Sequence, residues 1–497
     1  MLQTKMNHKN IKTYFFLLTL FVAGAVVMMV ELLGVRILVP YYGSTLYVWS
    51  SLIAATLGFL ALGYFIGGKL ADKRPEINLL YLIIFLAGIS IILIPKIDIW
   101  ILLNTNFLGV KLGPLAASLI LFSIPLFLLG MVAPFAVKIK TKELRVLGIT
   151  AGSLYAISTS GSLAGTILTG FYLIPNYGLT LIINLTALAL ILISIIWFIF
   201  NPRYLRKYLK FFVLIALFFV PSYELTLPAD LKLIYQGESF YGQIKVVDRQ
   251  NLRFLLVNGA TQTRYDLNKG EFDFPYLRLM EKAIKYHPEA KNSLVLGLGG
   301  GGIDKRFRAL GVEVDNVEID PKVVEVAREY FGFDGKVIID DARSYIRRSE
   351  KNYDLVAVDV LSGYSVVHHL LTKEAFEEIK AILSEEGILT LNTLGFEKRR
   401  TSEELFEKAL YKTLNEVFSY VYLKATGYGF QSIVFYASDR PLILDKWFIS
   451  MEIFPDKETP ILTDDYNPVE TLTTFHVETF RKSTIEKFSE AILYRGK

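Results

Sequence analysis

The 497 residues include 53% hydrophobic side chains, 53 lysines and arginines against 48 acids, five histidines and no cysteine, and the mean hydropathy is +0.40. Such a chain is too long for one ordinary domain and too apolar for an ordinary soluble one, so a membrane half joined to a soluble half is expected. Disulfides are excluded, a catalytic metal is not expected from so few ligands at no ligand spacing, and a net charge of +5 gathered largely beside apolar runs argues against nucleic-acid binding.

Six apolar runs come first, at roughly 14–38, 46–68, 77–95, 114–137, 149–174 and 178–200. Each is long enough to cross about 30 Å of hydrocarbon as a helix. The first is too long for a signal peptide and lacks a small-residue cleavage site. The run 211–220, "FFVLIALFFV", is short and reads either as a seventh span or as a helix lying at the interface. Basic groups collect at Lys5, Lys9 and Lys12, at Lys69, Lys73 and Arg74, at Lys138, Lys140, Lys142 and Arg145, and at Arg203, Arg206, Lys207 and Lys210, while the alternate loops are poor in charge. That asymmetry assigns the basic loops to the cytoplasm of a cell inner membrane, and six spans put the rest of the chain on the same side. Within the first run, Glu31 and Arg36 lie about 140° apart on an ideal helix, so each is expected to find its partner on another span. In "GSLYAISTSGSLAGTILTG" the small residues Gly152, Ser160, Gly161, Gly165 and Gly170 predict a close helix-packing face.

The linker 221–232, "PSYELTLPADLK", carries two prolines, and charge returns at the density of a globular surface beyond it. The expected boundaries are a helical membrane domain over 1–222, a linker and small β domain over 223–270, and a nucleoside-binding domain over 271–497. "SFYGQIKVVD", "LRFLLVNG" and "ATQTRYD" alternate as antiparallel strands between about 233 and 266. A helix over 271–286 and a strand over 293–297 follow, then helix 303–310, strand 312–317, helix 321–331, strand 336–339, helix 342–349, strand 354–358, helix 372–384 and strand 387–392. Strands alternating with helices at this spacing predict right-handed crossovers and a parallel, doubly wound, Rossmann-like sheet.

"VLGLGGGG", Val295 to Gly302, runs from the first parallel strand into the next helix. A helix start there offers free amides and a positive dipole end, and glycine lets a ligand lie against the backbone. Gly297, Gly299 and Gly302 satisfy G-x-G-x-x-G, a weak signal compatible with NAD. Glu318, in "VEID" about twenty residues on, can accept both ribose hydroxyls. The acids of "IIDDARSYI" and "LVAVDVLSGYSVVHHLLT" end the third and fourth strands. The first suits an adenine amino group, and the second faces the reacting carbon in S-adenosylmethionine-type enzymes.

In that order, the β unit, "GQIKVVD", "NGATQ", "GGGG", "VEIDP", "DDAR", "HLLT" and the terminal "LTDDYNPVE" make residues of about 233–470 resemble the spermidine synthase family of polyamine aminopropyltransferases, and the whole chain resembles its membrane-fused members. The resemblance implies a class I S-adenosylmethionine transferase fold and a transfer of the aminopropyl group of decarboxylated S-adenosylmethionine to an amine. It implies that Gly297, Gly299 and Gly301 line the nucleoside, that Glu318 holds the ribose, that Asp341 and Ala342 meet the adenine, and that Gln262 touches the cofactor. Asp359 is then the acid that orients the attacking amine and takes its proton, with Tyr276 beside it. Tyr241, Gln243, Ser362, Tyr364 and His369 would border the acceptor. The departures bear on the substrate: Gly300 replaces the family's aspartate, Ser362 its second loop acid, and Arg278 an acid near the tyrosine. Methyl transfer from S-adenosylmethionine to a membrane substrate is therefore the alternative, and a transporter with a nucleoside-sensing domain a further one. The lipid bilayer, an amine or lipid-like acceptor and a second copy of the chain are the expected partners.

Overall fold

The computed structural model describes residues 2–141, 143–221, 225–362, 364–397, 405–445 and 453–494. Contacts divide the chain into an N-terminal unit, Met1–Tyr42 with Leu46–Leu225, and a C-terminal unit, Thr226–Lys497 with Gly43–Thr45.

The N-terminal unit is helical throughout: α1 (Leu2–Tyr42), α2 (Leu46–Lys73), α3 (Ile77–Thr105), α4 (Gly109–Gly130), α5 (Val132–Lys140), α6 (Leu147–Ile167), the short α7 (Ile174–Asn176), α8 (Leu179–Ile199) and α9 (Pro202–Phe212). Five continuous helical stretches are long and apolar enough to cross a membrane: 11–42, 46–73, 77–140, 147–176 and 179–199. The 64 residues of the third would extend about 96 Å as one straight helix, three times a bilayer core. It is broken at the 3-10 turn Asn106–Leu108, where Gly109 adopts a φ of +69°, and α3 packs against α4. The expected span at 77–95 thus runs on to Thr105, because Pro95 is tolerated inside a helix packed among others. The expected span at 114–137 divides between α4 and α5 at Met131. Residues 211–220 are no span of their own: α9 passes into the 3-10 helix Val213–Phe219, which packs on α3.

The small-residue face forms in part. A side chain at Gly161 would strike the Phe21 carbonyl, and one at Gly165 would come within 2.7 Å of the Ala25 carbonyl, so these two let α6 lie against α1. Ser162 Oγ donates to the Gly24 carbonyl at 2.9 Å in the same contact. Gly152 and Gly170 face open space and Ser160 is exposed, so they take no part.

The C-terminal unit opens with an antiparallel sheet of β1 (Leu231–Glu238), β2 (Gln243–Arg249), β3 (Leu252–Val257), β4 (Ala260–Asp266) and β5 (Glu271–Phe272), in that order. Asn258 and Gly259, both at positive φ, close the β3–β4 hairpin in the two-residue turn that an Asn-Gly pair favours. Then come α10 (Pro275–Tyr286), β6 (Asn292–Leu296), α11 (Gly302–Ala309), β7 (Glu313–Glu318), α12 (Pro321–Phe331), β8 (Val337–Ile339), α13 (Ala342–Arg348), β9 (Tyr353–Val358), the hairpin β10 (Leu361–Ser362) and β11 (Ser365–Val366), α14 (Lys373–Ala381), β12 (Leu383–Glu397), α15 (Leu405–Asn415), β13 (Tyr420–Ala425), β14 (Gly429–Ser438), α16 (Val469–Leu472) and α17 (Thr474–Leu493). The helix expected from 271 starts at Pro275, because Tyr265 pairs with Phe272 and keeps 271–272 in the sheet. The helix expected to 384 stops at Ala381, and the strand expected over 387–392 belongs to the longer β12.

Seven strands form the second sheet in the order β13-β14-β12-β9-β6-β7-β8. β12, β9, β6, β7 and β8 are parallel, and β14 runs antiparallel to both β12 and β13. Alternate residues feed two cores on opposite faces. Leu294, Leu296, Val356 and Val358 pack with Phe376 and Phe406 on one face, and Val295, Leu355 and Ala357 with Met280 and Phe307 on the other. Strand order reverses between β6 and β9, and the crevice at the carboxyl ends of those strands is where an open α/β sheet binds ligands.

Candidate active site

The glycine loop leaves β6 at Gly297, whose φ is +90°, and whose missing side chain would otherwise collide with the backbone carbonyl of Asp359. Glycine is thus required there to bring the ends of β6 and β9 together. Gly299 and Gly301 also have positive φ. Gly300 does not, but its amide donates to Thr263 Oγ1 at 2.8 Å, and a Cβ at this position would lie 2.7 Å from Thr263 Cγ2 and 3.0 Å from Phe272 Cε1. An aspartate at position 300 would therefore require Thr263 to shift. Gln262 is partly buried on the adjoining β4, its carbonyl oxygen near Gly299.

Glu318 ends β7 with both carboxylate oxygens aimed by the backbone. Oε2 accepts from Leu298 N at 3.0 Å and Oε1 from Asp320 N at 2.9 Å. Burial raises its pKa, and those backbone donors pull the other way. Asp320 caps α12 and accepts from Ser239 Oγ at 2.6 Å, which ties the β1–β2 loop to the end of β7. Tyr241 in that loop is exposed, and its hydroxyl is raised above its ordinary pKa by partial burial and by the carboxylates of Asp320, Asp341 and Glu318. Its hydroxyl thus lies within electrostatic reach of those three acids. Gln243 is engaged across the hairpin, donating to Glu238 Oε1 at 2.9 Å.

Asp341 caps α13 through Oδ1, which accepts from Ser344 N at 2.9 Å, and Oδ2 lies 3.6 Å from His369 Nε2. Its neighbour Asp340 pairs instead with Arg348, so the two acids have separate duties. Ala342 is buried at the start of α13. Burial lowers the pKa of His369, against the pull of Asp341. Arg343 accounts for two of the sequence motifs together: it binds Asp464 at 2.6 and 2.7 Å, Glu378 at 2.8 and 3.0 Å and the His369 carbonyl at 3.1 Å. "DDAR" and "LTDDYNPVE" thereby hold the histidine turn in place. Tyr364 is buried with its ring edge-on to Phe480. Ser362 lies in β10, and its side chain is outside the described residues.

Asp359 follows β9, its amide bonded to the Leu296 carbonyl at 2.9 Å. Tyr276 Oη donates to its Oδ2 at 2.7 Å, and Asn392 Nδ2 donates to its Oδ1 at 2.8 Å. Burial raises the Asp359 pKa, while both donors favour the anion. Burial and the adjacent carboxylate raise Tyr276 well above 10, so its hydroxyl stays protonated and acts as a donor. Asn392 was missed in the sequence. Leu391 pairs with Val358, which sets the next residue of β12 beside Asp359, and the only trace of this is one amide in the apolar strand "ILTLNTL". Arg278 is exposed on the outer face of α10, away from buried Tyr276, because residues two apart on a helix point in different directions.

The family model of the spermine/spermidine synthase domain matches residues 276–434. The chain is 32% identical over 181 residues to the polyamine aminopropyltransferase of Vibrio vulnificus and 28% identical over 175 residues to polyamine aminopropyltransferase 1 of Aquifex aeolicus. Each match covers 33% of this chain and 60% of the relative, so the chain spans about three fifths of their length. It is also 34% identical over 128 residues to an N-terminal histidine N-methyltransferase of Emericella nidulans, covering 24% of this chain and 23% of that one. The solved spermidine synthase of Thermotoga maritima aligns with 51% of this chain and 88% of its own at 22% identity, with a TM-score of 0.36. Residues 276–434 thus carry a spermine/spermidine synthase domain, and the N-terminal helices fit a domain fused to it.

Proposed function

We propose that the protein is a membrane-integrated aminopropyltransferase that moves the aminopropyl group of decarboxylated S-adenosylmethionine to an amine, either a polyamine or a lipid-associated amine. The observation that carries this reading is Asp359, gripped by Tyr276 and Asn392 at the reversal point of the sheet and abutting Gly297. The residues fit such a donor: a glycine loop without Cβ atoms, the backbone-aimed Glu318 for the ribose, Asp341 with Ala342 for the adenine, and Gln262 beside the loop. When bound, the donor supplies a carbon activated by sulfonium. Asp359 holds the acceptor nitrogen by its N–H and takes up the proton it sheds. Burial raises the carboxyl above its ordinary range, the direction that suits a proton acceptor. Tyr276 and Asn392 fix its orientation, so little positional freedom is left to lose on binding.

A second reading, methyl transfer from S-adenosylmethionine, is favoured by one observation: Thr263 and Phe272 crowd the position of the acid that would meet an aminopropyl ammonium. The purified full chain, given aminopropyl-labelled and methyl-labelled donors with free diamines and with host membranes, separates the two. Aminopropyl label in the product supports the first reading, methyl label supports the second, and label in neither product with either donor refutes both.

A further inference from the structure

We infer that α9 is a docking surface for the phosphate-bearing headgroups of anionic lipids. This inference rests on the membrane reading of the N-terminal unit and is independent of which group the C-terminal unit transfers. Arg203, Arg206, Lys207 and Lys210 fall at i, i+3, i+4 and i+7 of α9, within an arc of about 100° at 3.6 residues per turn, and all four are exposed. The opposite face is anchored: Tyr208 and Phe212 pack on Phe198 at ring distances of 5.6 and 5.7 Å, and Phe212 meets Phe85 at 4.8 Å. The basic stripe is therefore held outward by the packing. Only Lys207 has an acidic partner among the described residues, Glu76 at 3.8 Å. Arg203, Arg206 and Lys210 face no carboxylate there.

The stripe is part of a larger asymmetry. Glu76 lies three residues beyond the end of α2, and Asp72 near that end pairs with Lys138 at 2.6 Å. The ends of α2, α5 and α8 and the start of α3 are thus gathered at one pole, with Lys69, Lys73, Arg74, Lys138, Lys140 and the four cations of α9 against Asp72 and Glu76. The turns 43–45, 106–108 and 177–178 contain no charge. A row of four cations, three of them without a carboxylate partner among the described residues, on an anchored helix beside apolar helices is complementary to an anionic phosphate layer, and free amphipathic helices of this make-up bind such layers.

The test uses the full chain in neutral-detergent micelles, titrated with phosphatidylglycerol, phosphatidylcholine or inorganic phosphate while its thermal melt is followed. Phosphatidylglycerol should raise the melting temperature and phosphatidylcholine should not. Changing Arg203, Arg206 and Lys210 together to Gln should raise the phosphatidylglycerol concentration for half effect on the order of a hundredfold, whereas Arg203→Lys with Arg206→Lys should leave it within a few fold. Equal response to the two lipids, an unchanged response in the triple variant, or the same shift from inorganic phosphate would overturn the inference. Alkaline washing of host membranes tests the membrane reading separately: release of the chain defeats that reading, while retention combined with equal lipid responses defeats the docking alone.

Discussion

Asp359→Asn keeps the shape of the site and removes the group assigned to receive the proton. In the folded protein the Asp359 carboxyl is raised by burial, so the native state binds its proton more tightly than the unfolded chain does. The ionised form therefore weakens folding as pH climbs from the unfolded value toward the folded one, and the penalty is constant above that. The neutral amide removes this cost but presents an NH2 to one of two existing donors, Tyr276 Oη or Asn392 Nδ2. The hydroxyl can turn and the Asn392 amide can flip, so the two effects largely offset and the melting temperature should stay within a few degrees, about 1 kcal/mol for a unit of this size. Turnover should fall a hundredfold or more, equivalent to about 2.7 kcal/mol of barrier, with nucleoside affinity unchanged within a few fold. Single-turnover transfer with labelled donor, beside nucleoside titration calorimetry, reads both quantities. Full turnover in the variant would refute the assignment whichever group is transferred. Lost nucleoside binding would move Asp359 from the acceptor side to the donor side.

Tyr276→Phe removes a hydrogen bond to the Asp359 anion, so the acidic limb of the pH–rate profile should move to higher pH; an unmoved limb would mean that another group titrates. Glu318→Gln should weaken nucleoside binding by at least ~1.4 kcal/mol, about tenfold, because the new amide confronts the Leu298 or Asp320 N–H and charge-assisted bonds to the ribose are lost; titration calorimetry reads it, and unchanged affinity would remove the proposed site. Gly300→Asp alone should lower stability by ~1–3 kcal/mol through its clash with Thr263 Cγ2, and Thr263→Ser should recover part of that in the double variant, as followed by thermal melting of the full chain. A reporter fused after Lys497 should be active only in the cytoplasm, and activity solely outside would overturn the assigned side.

The parallel strands and the glycine loop were legible because their signals are local. An apolar run of five residues followed by glycines needs no distant partner to be recognised, and β6, β7 and β9 fall within a residue of expectation at each end. The start of α10 was misplaced although Pro275 marks it, because the pairing of Phe272 with Tyr265 depends on a neighbouring strand. Asp359 and Glu318 could be chosen by position at strand ends. Asn392 could not, since its role arises only from the register that sets Leu391 against Val358. The crowding at Gly300 was invisible for the same reason: Thr263 and Phe272 come from the preceding sheet. The helix runs were found by hydropathy, and the gap left between 77–95 and 114–137 contains the turn at 106–108, but its position within that gap has no proline to announce it.

Lys245 in β2 is 2% exposed, and its ammonium donates to the carbonyls of Ala491 and Ile492 at 2.8 Å and of Tyr494 at 2.6 Å, the end of α17. These partners are separated from it by as many as 249 residues of chain. During synthesis the small sheet therefore emerges with a cation, on the face opposite Ile244 and Val246, that finds its acceptors only after every strand of the larger sheet has left the ribosome. At translation speeds of roughly 5–20 residues per second, that wait lasts from about ten seconds to nearly a minute. That face of the small sheet therefore reaches its final form only after the larger sheet has been translated, and a nascent chain arrested anywhere before residue 491 should leave the Lys245 ammonium open to an amine-labelling reagent. A stop codon in the last turn of α17 would thus be felt first at β2, near the other end of the unit's sequence but in contact with that turn.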